Sequence, residues 1–418
     1  MRDFSSLPAV VLRRLQAVNK FRKKARRGRT HDEAAMNAAT APPVNTCCFS
    51  PDGRYLIVGT GTGRLHIWSF PQAAAADDAD AMPVPVTSVI AHGCAIYALV
   101  FAQTKSGLLL LSSADEEIRG WKWDALLAAR GNKQSPVLHL INPQTALRRG
   151  GLGQLSETSA LAIDEAAGRL YSAAGDGNSY AWDLAAGKCV ETFAGVGEAL
   201  HCLTLAKQRK QLVTGGEDGV VRLWDVRAGK CVQALNPTQP PLVPAESPHA
   251  PTAMAGAAGG SPSLGGAPVA PASGSTTVTG SSATGGTGGG WCGCVGVDES
   301  EAWLVAGWGD GFLCTVDLNT YACVACLPTA AAPLAACFEP ASDFHLLSVG
   351  AESGLYRWTV TGELETRATC SSPSALGLAV SRRPGEVAKA IAVGGSAGTV
   401  DVFHDPSYRA FTLRVHED

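Results

Sequence analysis

The sequence predicts an all-β fold, a seven-bladed β-propeller, on three observations. A unit recurs about every forty residues along the 418-residue chain. Each copy reads as an apolar strand, a strand ending in Gly or Ala, an acidic or Gly-rich turn, and an alternating strand that closes on an aromatic residue. Apolar residues make up 46% of the chain. No run of them approaches the roughly eighteen that a membrane helix needs, so they belong to many short buried strands.

The copies, in chain order, span 55–68, 109–121, 170–183, 212–225, 303–317, 346–358 and 390–403. The clearest is Leu212-Val213-Thr214-Gly215-Gly216-Glu217-Asp218-Gly219-Val220-Val221-Arg222-Leu223-Trp224-Asp225. The residues that end the third strands are Trp68, Trp121, Trp182, Trp224, Val316, Trp358 and Phe403, at intervals of 53, 61, 42, 92, 42 and 45. The interval of 92 contains a 55-residue low-complexity segment, 236–290, without which it is 37, so the count of seven stands. Alternation at period two turns side chains to both faces of each blade. A single blade would leave both faces wet, so neighbours must stack and the ring must close.

The flanks differ from the repeats. Residues 1–30 carry ten basic side chains and one acid, a net charge of +9, which leaves −12 on the remainder of a chain whose total is −3. Phe4, Leu7, Val11, Leu15 and Val18 recur at helical spacing, with Ser5 or Ser6 as cap and Pro8 in the first turn. This predicts a basic amphipathic helix and flexible arm over 1–40. Arg22, Lys23, Lys24, Arg26 and Arg27 follow the apolar stripe, a candidate for nuclear import or RNA contact; a merely solvated charge run is the plainer reading. The propeller is expected over 44–415, with 408–415 as the fourth strand of the last blade, burying Phe411 and Leu413. Segment 236–290 is nearly uncharged and rich in Pro, Gly, Ser, Thr and Ala, so disorder is expected there, between blades four and five. A secretory signal is not expected, and the thirteen cysteines read as reduced thiols inside a cell.

Trp182-Asp183 and Trp224-Asp225 resemble the dipeptide that gives the WD-repeat family its name. The Gly-His that often completes a hydrogen-bonded tetrad in that family is reduced here to Ala91-His92 before blade two and Gly195-Val196-Gly197 before blade four. Most blades are therefore expected to rest on packing. Ile118-Arg119-Gly120-Trp121-Lys122-Trp123, residues 212–227, and above all Val400-Asp401-Val402-Phe403 with Tyr408-Arg409-Ala410-Phe411-Thr412-Leu413 resemble the THO complex subunit 6 family. The tail is the specific part, because it lies outside the generic repeat. The resemblance implies a scaffold subunit of the nuclear THO/transcription-export assembly, which couples transcription to mRNA packaging, processing and export. It implies other THO subunits as partners, and no cofactor or catalysis. Trp68, Trp121, Trp182, Asp183, Trp224, Asp225, Trp358 and Phe403 are then structural anchors.

Several motifs mimic chemistry. Gly394-Gly395-Ser396-Ala397-Gly398 matches a hydrolase elbow in letters, but a strand pattern follows where that motif needs a helix. Gly59-Thr60-Gly61-Thr62-Gly63 lacks both the helix and the lysine of a phosphate loop and aligns with the blade turns. Cys292/Cys294 and Cys323/Cys326 could supply four thiolates on paper. They fall on non-adjacent strands of one blade, so buried structural thiols are expected and no metal. Trp224-Asp225-Val226-Arg227 resembles the docking box of propellers that serve as substrate receptors for cullin-type ubiquitin ligases, with Arg227 contacting the ligase adaptor. An ordinary arginine at a blade edge is the plainer reading. Three functions thus stand beside one another: a THO scaffold, a ligase substrate receptor, and a propeller scaffold targeted to an organelle by its Arg-rich start.

Overall fold

Short strands rich in β-branched and aromatic residues, separated by Gly- and Asp-containing turns, fold as seven four-stranded antiparallel sheets that follow one another along the chain. The computed structural model describes residues 41–415 apart from 71–82, 129–133, 144–155, 195, 237–289, 341, 343 and 382–389. The blades occupy 44–90, 98–141, 158–193, 200–235, 292–328, 333–369 and 375–414, and within each the strands pair in sequence order. A five-residue helix, Trp123–Leu127, follows the third strand of blade two and buries Trp123 and Leu126. The expected helix and arm over 1–40, with Arg22, Lys23, Lys24, Arg26 and Arg27, lies outside the described residues, as does nearly all of 236–290.

Seven of the apolar clusters among the described residues each join two neighbouring blades, and a smaller eighth gathers Ala331, Ala332, Leu334, Ala351 and Leu376. Trp121 packs with Ile57, Ile67 and Val89 of blade one. Trp182 packs with Leu111, Ile118 and Leu140 of blade two, and Trp224 with Tyr171 and Phe193 of blade three. Val316 faces Val221 and Leu223 of blade four, Trp358 faces Leu313 and Leu327 of blade five, and Phe403 faces Leu347 and Leu355 of blade six. The rule is uniform: the residue ending each third strand is buried against the preceding blade. Trp68 obeys it too, and because its preceding blade is the seventh, it closes the ring against Val400, Val402 and Leu413.

No strand is exchanged across this seam; blade seven is completed by its own fourth strand, Tyr408–Arg414, paired with Thr399–Asp405. Leu413 is buried as expected, whereas Phe411 is only partly so, its ring 6.1 Å from that of Phe70 at the margin of the closing cluster. Phe411 pairs with Val402 and Leu413 with Val400 on the same strand.

The two glycine-rich motifs lie in turns. Ser396 and Gly398 sit between strands Ile391–Gly395 and Thr399–Asp405, with no helix after the serine. Gly63 has φ +83°, and a β-carbon there would meet the His92 carbonyl oxygen at 2.2 Å, so this turn needs glycine on two counts.

Candidate interaction surface

Hydrogen bonding explains why tryptophan recurs at the third-strand position. The indole N–H of Trp121 donates to Ser112 Oγ, Trp182 to Ser172 Oγ, Trp224 to Thr214 Oγ1 and Trp358 to Ser348 Oγ, each at 2.9 Å. The hydroxyl always stands two residues beyond the leucine that pairs with the tryptophan across the strands, as Leu212 pairs with Trp224. The aspartate of the dipeptide has a separate task. Asp183 Oδ1 accepts from the backbone N–H of Ala185 and Ala186, and Asp225 Oδ1 from those of Arg227 and Ala228, capping the turn into the fourth strand.

Blade two carries this network furthest. Ser112 Oγ lies 2.8 Å from His92 Nε2, and His92 Nδ1 lies 2.9 Å from Glu117 Oε1. His139 Nε2 and Arg119 reach the same carboxylate at 2.6 and 2.8 Å. Burial alone would raise the Glu117 carboxyl, but the hydrogen bonds from His92 and His139 and the Arg119 charge outweigh it and hold it at about 2. Burial also pushes the His92 pKa down, so the ring is neutral. One proton arrangement satisfies all four groups: Trp121 donates to Ser112, Ser112 donates to His92 Nε2, and His92 Nδ1–H donates to the Glu117 carboxylate. Ala91-His92 therefore completes a tetrad although its glycine is missing, with Glu117 as the acid.

The aromatic anchors are thus buried, and they and the two aspartates are spent on the fold. What faces outward is the fourth strand of every blade, an edge with one side unpaired. Each fourth strand exposes a large apolar residue: Ile90, Ile141, Val190, Val232, Val324, Leu364 and Tyr408, between 41% and 64% exposed. Arg227 sits on the same rim, in the turn before strand Lys230–Leu235, with its side chain 75% exposed and its Nε 3.6 Å from Asp225. No helix of the described residues is long and apolar enough to cross a membrane.

The family description "WD domain, G-beta repeat" matches residues 34–69 and 187–225. The second match runs from the fourth strand of blade three through the third strand of blade four, so the sequence repeat is offset by one strand from the blade. THO complex subunit 6 of Arabidopsis thaliana is 30% identical over 394 residues, 91% of this chain and 91% of that protein. The chain belongs to the THO complex subunit 6 family. The THO complex subunit 6 homolog of Mus musculus is 27% identical and the THO complex subunit 6 of Homo sapiens 26% identical, each across 87% of this chain and 90% of its own length. Membership in the THO complex subunit 6 family thus spans the ring as a whole, its outer strands included.

The cysteines are arranged otherwise than the sequence spacing suggests. Cys292 and Cys294 are buried in the first strand of blade five, and Cys292 Sγ lies 3.7 Å from Cys202 Sγ of blade four. Cys323 and Cys326 are elsewhere, on the fourth strand, where they meet Cys314 of the third. Sequence reasoning separated the two pairs but missed Cys314, because strand register, not spacing, brings it there. The signal available was the strand pattern itself: pairing 312–317 antiparallel with 322–328 places Cys314 opposite Cys326.

Proposed function

We propose that the chain is a non-catalytic scaffold subunit of the nuclear THO/transcription-export assembly, supporting mRNA packaging, processing and export. The observation that carries this reading is the rim: seven unpaired strand edges, each with an exposed apolar side chain, on a ring whose aromatic anchors are consumed by packing. Such edges are covered in a stable assembly, since apolar side chains beside free backbone N–H and C=O groups invite other chains. Other THO subunits are the partners this reading requires, and RNA is reached through them or through the basic residues Arg22, Lys23, Lys24, Arg26 and Arg27. Purifying the tagged full-length chain from nuclear extract should recover THO subunits. Val190→Lys with Val232→Lys should leave the melting temperature unchanged and release them. Recovery of no THO subunit by the unaltered chain would overturn the proposal. Deleting residues 1–30 should move a fluorescent fusion from nucleus to cytoplasm.

A second reading is favoured by the exposure of Arg227 after Asp225, which suits a ligase adaptor contact. Arg227→Ala should abolish capture of a cullin-ligase adaptor while sparing THO subunits. Loss of both together, or of neither, rejects the docking box.

A further inference from the structure

The fourth strands of blades three, four and five open alike, with Cys189-Val190, Cys231-Val232 and Cys323-Val324. In all three the register against the third strand skips the valine, so each carries the same β-bulge. The three thiols also share a local acceptor, the carbonyl two residues on: Glu191 at 3.4 Å, Gln233 at 3.3 Å and Ala325 at 3.6 Å. One thiol at this position is therefore a property of the repeat.

Blade five departs from its neighbours two cross-strand pairs further on. Where blade three has Tyr180 opposite Thr192, blade four Arg222 opposite Ala234, and blade six Tyr356 opposite Arg367, blade five has Cys314 opposite Cys326. Residues three apart on a regular strand point to opposite faces. The bulge at Val324 removes one step of that alternation and brings Cys323 to the face of Cys326. Cys314 Sγ lies 3.1 Å from Cys326 Sγ, Cys326 Sγ lies 3.6 Å from Cys323 Sγ, and the three sulfurs all fall within 4.8 Å of one another.

We propose that Cys314, Cys323 and Cys326 form a three-thiolate zinc site at the outer edge of blade five, with solvent as the fourth ligand. Zinc–sulfur bonds of about 2.3 Å in a tetrahedral arrangement set sulfurs about 3.8 Å apart, so the cluster needs only a small adjustment to accept the ion. Cys314 is buried, Cys323 partly buried and Cys326 exposed, which leaves one side open to water. Three sulfurs this close cannot all ionise without a cation between them. The ion would tie the third strand of blade five to the fourth.

The test uses the full-length chain purified under reductant and equilibrated with zinc alone, then with cobalt(II) as a spectroscopic probe. One zinc ion per chain should be retained, and cobalt should give the sulfur charge-transfer and intense visible bands of tetrahedral thiolate ligation. Cys326→Ser, at an exposed position, should lose both, while Cys231→Ser, its repeat-equivalent control in blade four for Cys323, should lose neither. A chelator should lower the melting temperature of the unaltered chain and leave that of Cys326→Ser where it was. Substoichiometric zinc in the unaltered chain, cobalt spectra without thiolate bands, equal retention by Cys326→Ser, or a Cys314–Cys326 disulfide in place of the metal would each overturn the assignment.

Discussion

Blades two, three, four and six differ from blades one, five and seven at a single pair of positions, and the two groups explain each other. In the first group a buried tryptophan donates to a serine or threonine on the second strand. In blade five the anchor is Val316, paired with Leu304, and the residue two beyond that leucine is Ala306; in blade seven Phe403 pairs with Ile391, and the corresponding residue is Val393. Donor and acceptor are absent together. Blade one keeps Trp68 but has Val58 where the hydroxyl would stand, and its indole N–H donates instead to the Pro83 carbonyl at 3.1 Å. None of these anchors leaves an indole N–H without an acceptor, because an unpartnered polar group in a core costs more than the hydrogen bond contributes.

The anchors are tested most directly at Trp224. Trp224→Ala removes a large side chain packed on Phe193 and Tyr171 and should cost about 3–5 kcal/mol by chemical denaturation. A cost below about 1 kcal/mol would mean that the anchors do not hold the blades together.

The arrangement of blade five can be imitated inside blade four. Thr214→Val keeps the shape of the side chain but strands the Trp224 N–H, and should cost about 1–3 kcal/mol. Combined with Trp224→Phe, the total should fall short of the sum of the two single changes by about 1 kcal/mol, as measured in a double-mutant cycle. Strict additivity would show that the paired loss in blades five and seven has no energetic basis.

The smallest effect tests Glu117, the acid of the blade-two network. Glu117 sits at about 2 in the fold against a usual 4.5, so its contribution is complete above pH 4.5 and disappears as pH falls toward 2. His92, held below 6.5, adds a loss that begins below pH 6.5. The melting temperature of Glu117→Gln should lie under that of the unaltered chain near neutrality, and the gap should narrow as pH drops below 4.5. A gap independent of pH would show that the residue is not an ionised acceptor.

The periodic part of the fold was legible in the sequence because it depends on spacing. Seven third-strand ends, once 236–290 is set aside, recur at intervals of 37 to 61 residues, and each lies on a third strand of the ring. Features set by register were not legible. His92 reaches Ser112 and Glu117 across twenty and twenty-five residues, through the loop between blades one and two. Cys314 joins Cys323 and Cys326 because of a bulge that no spacing rule contains. Phe411 alternates in phase with Leu413, but only Leu413 is buried in the closing cluster, and Phe411 packs against its margin. Arg227 was legible as exposed, since it follows a turn-capping aspartate rather than an alternating strand.

The seam between blades seven and one is chemically like the other six, and both ends of the ring meet at one turn. Ala41 and Pro42 abut Gly398, and the Val415 N–H donates to the Gly398 carbonyl at 2.8 Å. With every blade built from consecutive strands, order along the chain and order around the ring are separable. A circularly permuted gene that fused 415 to 41 and opened within 237–289 would divide no blade, and translation would begin with the three blades now made last.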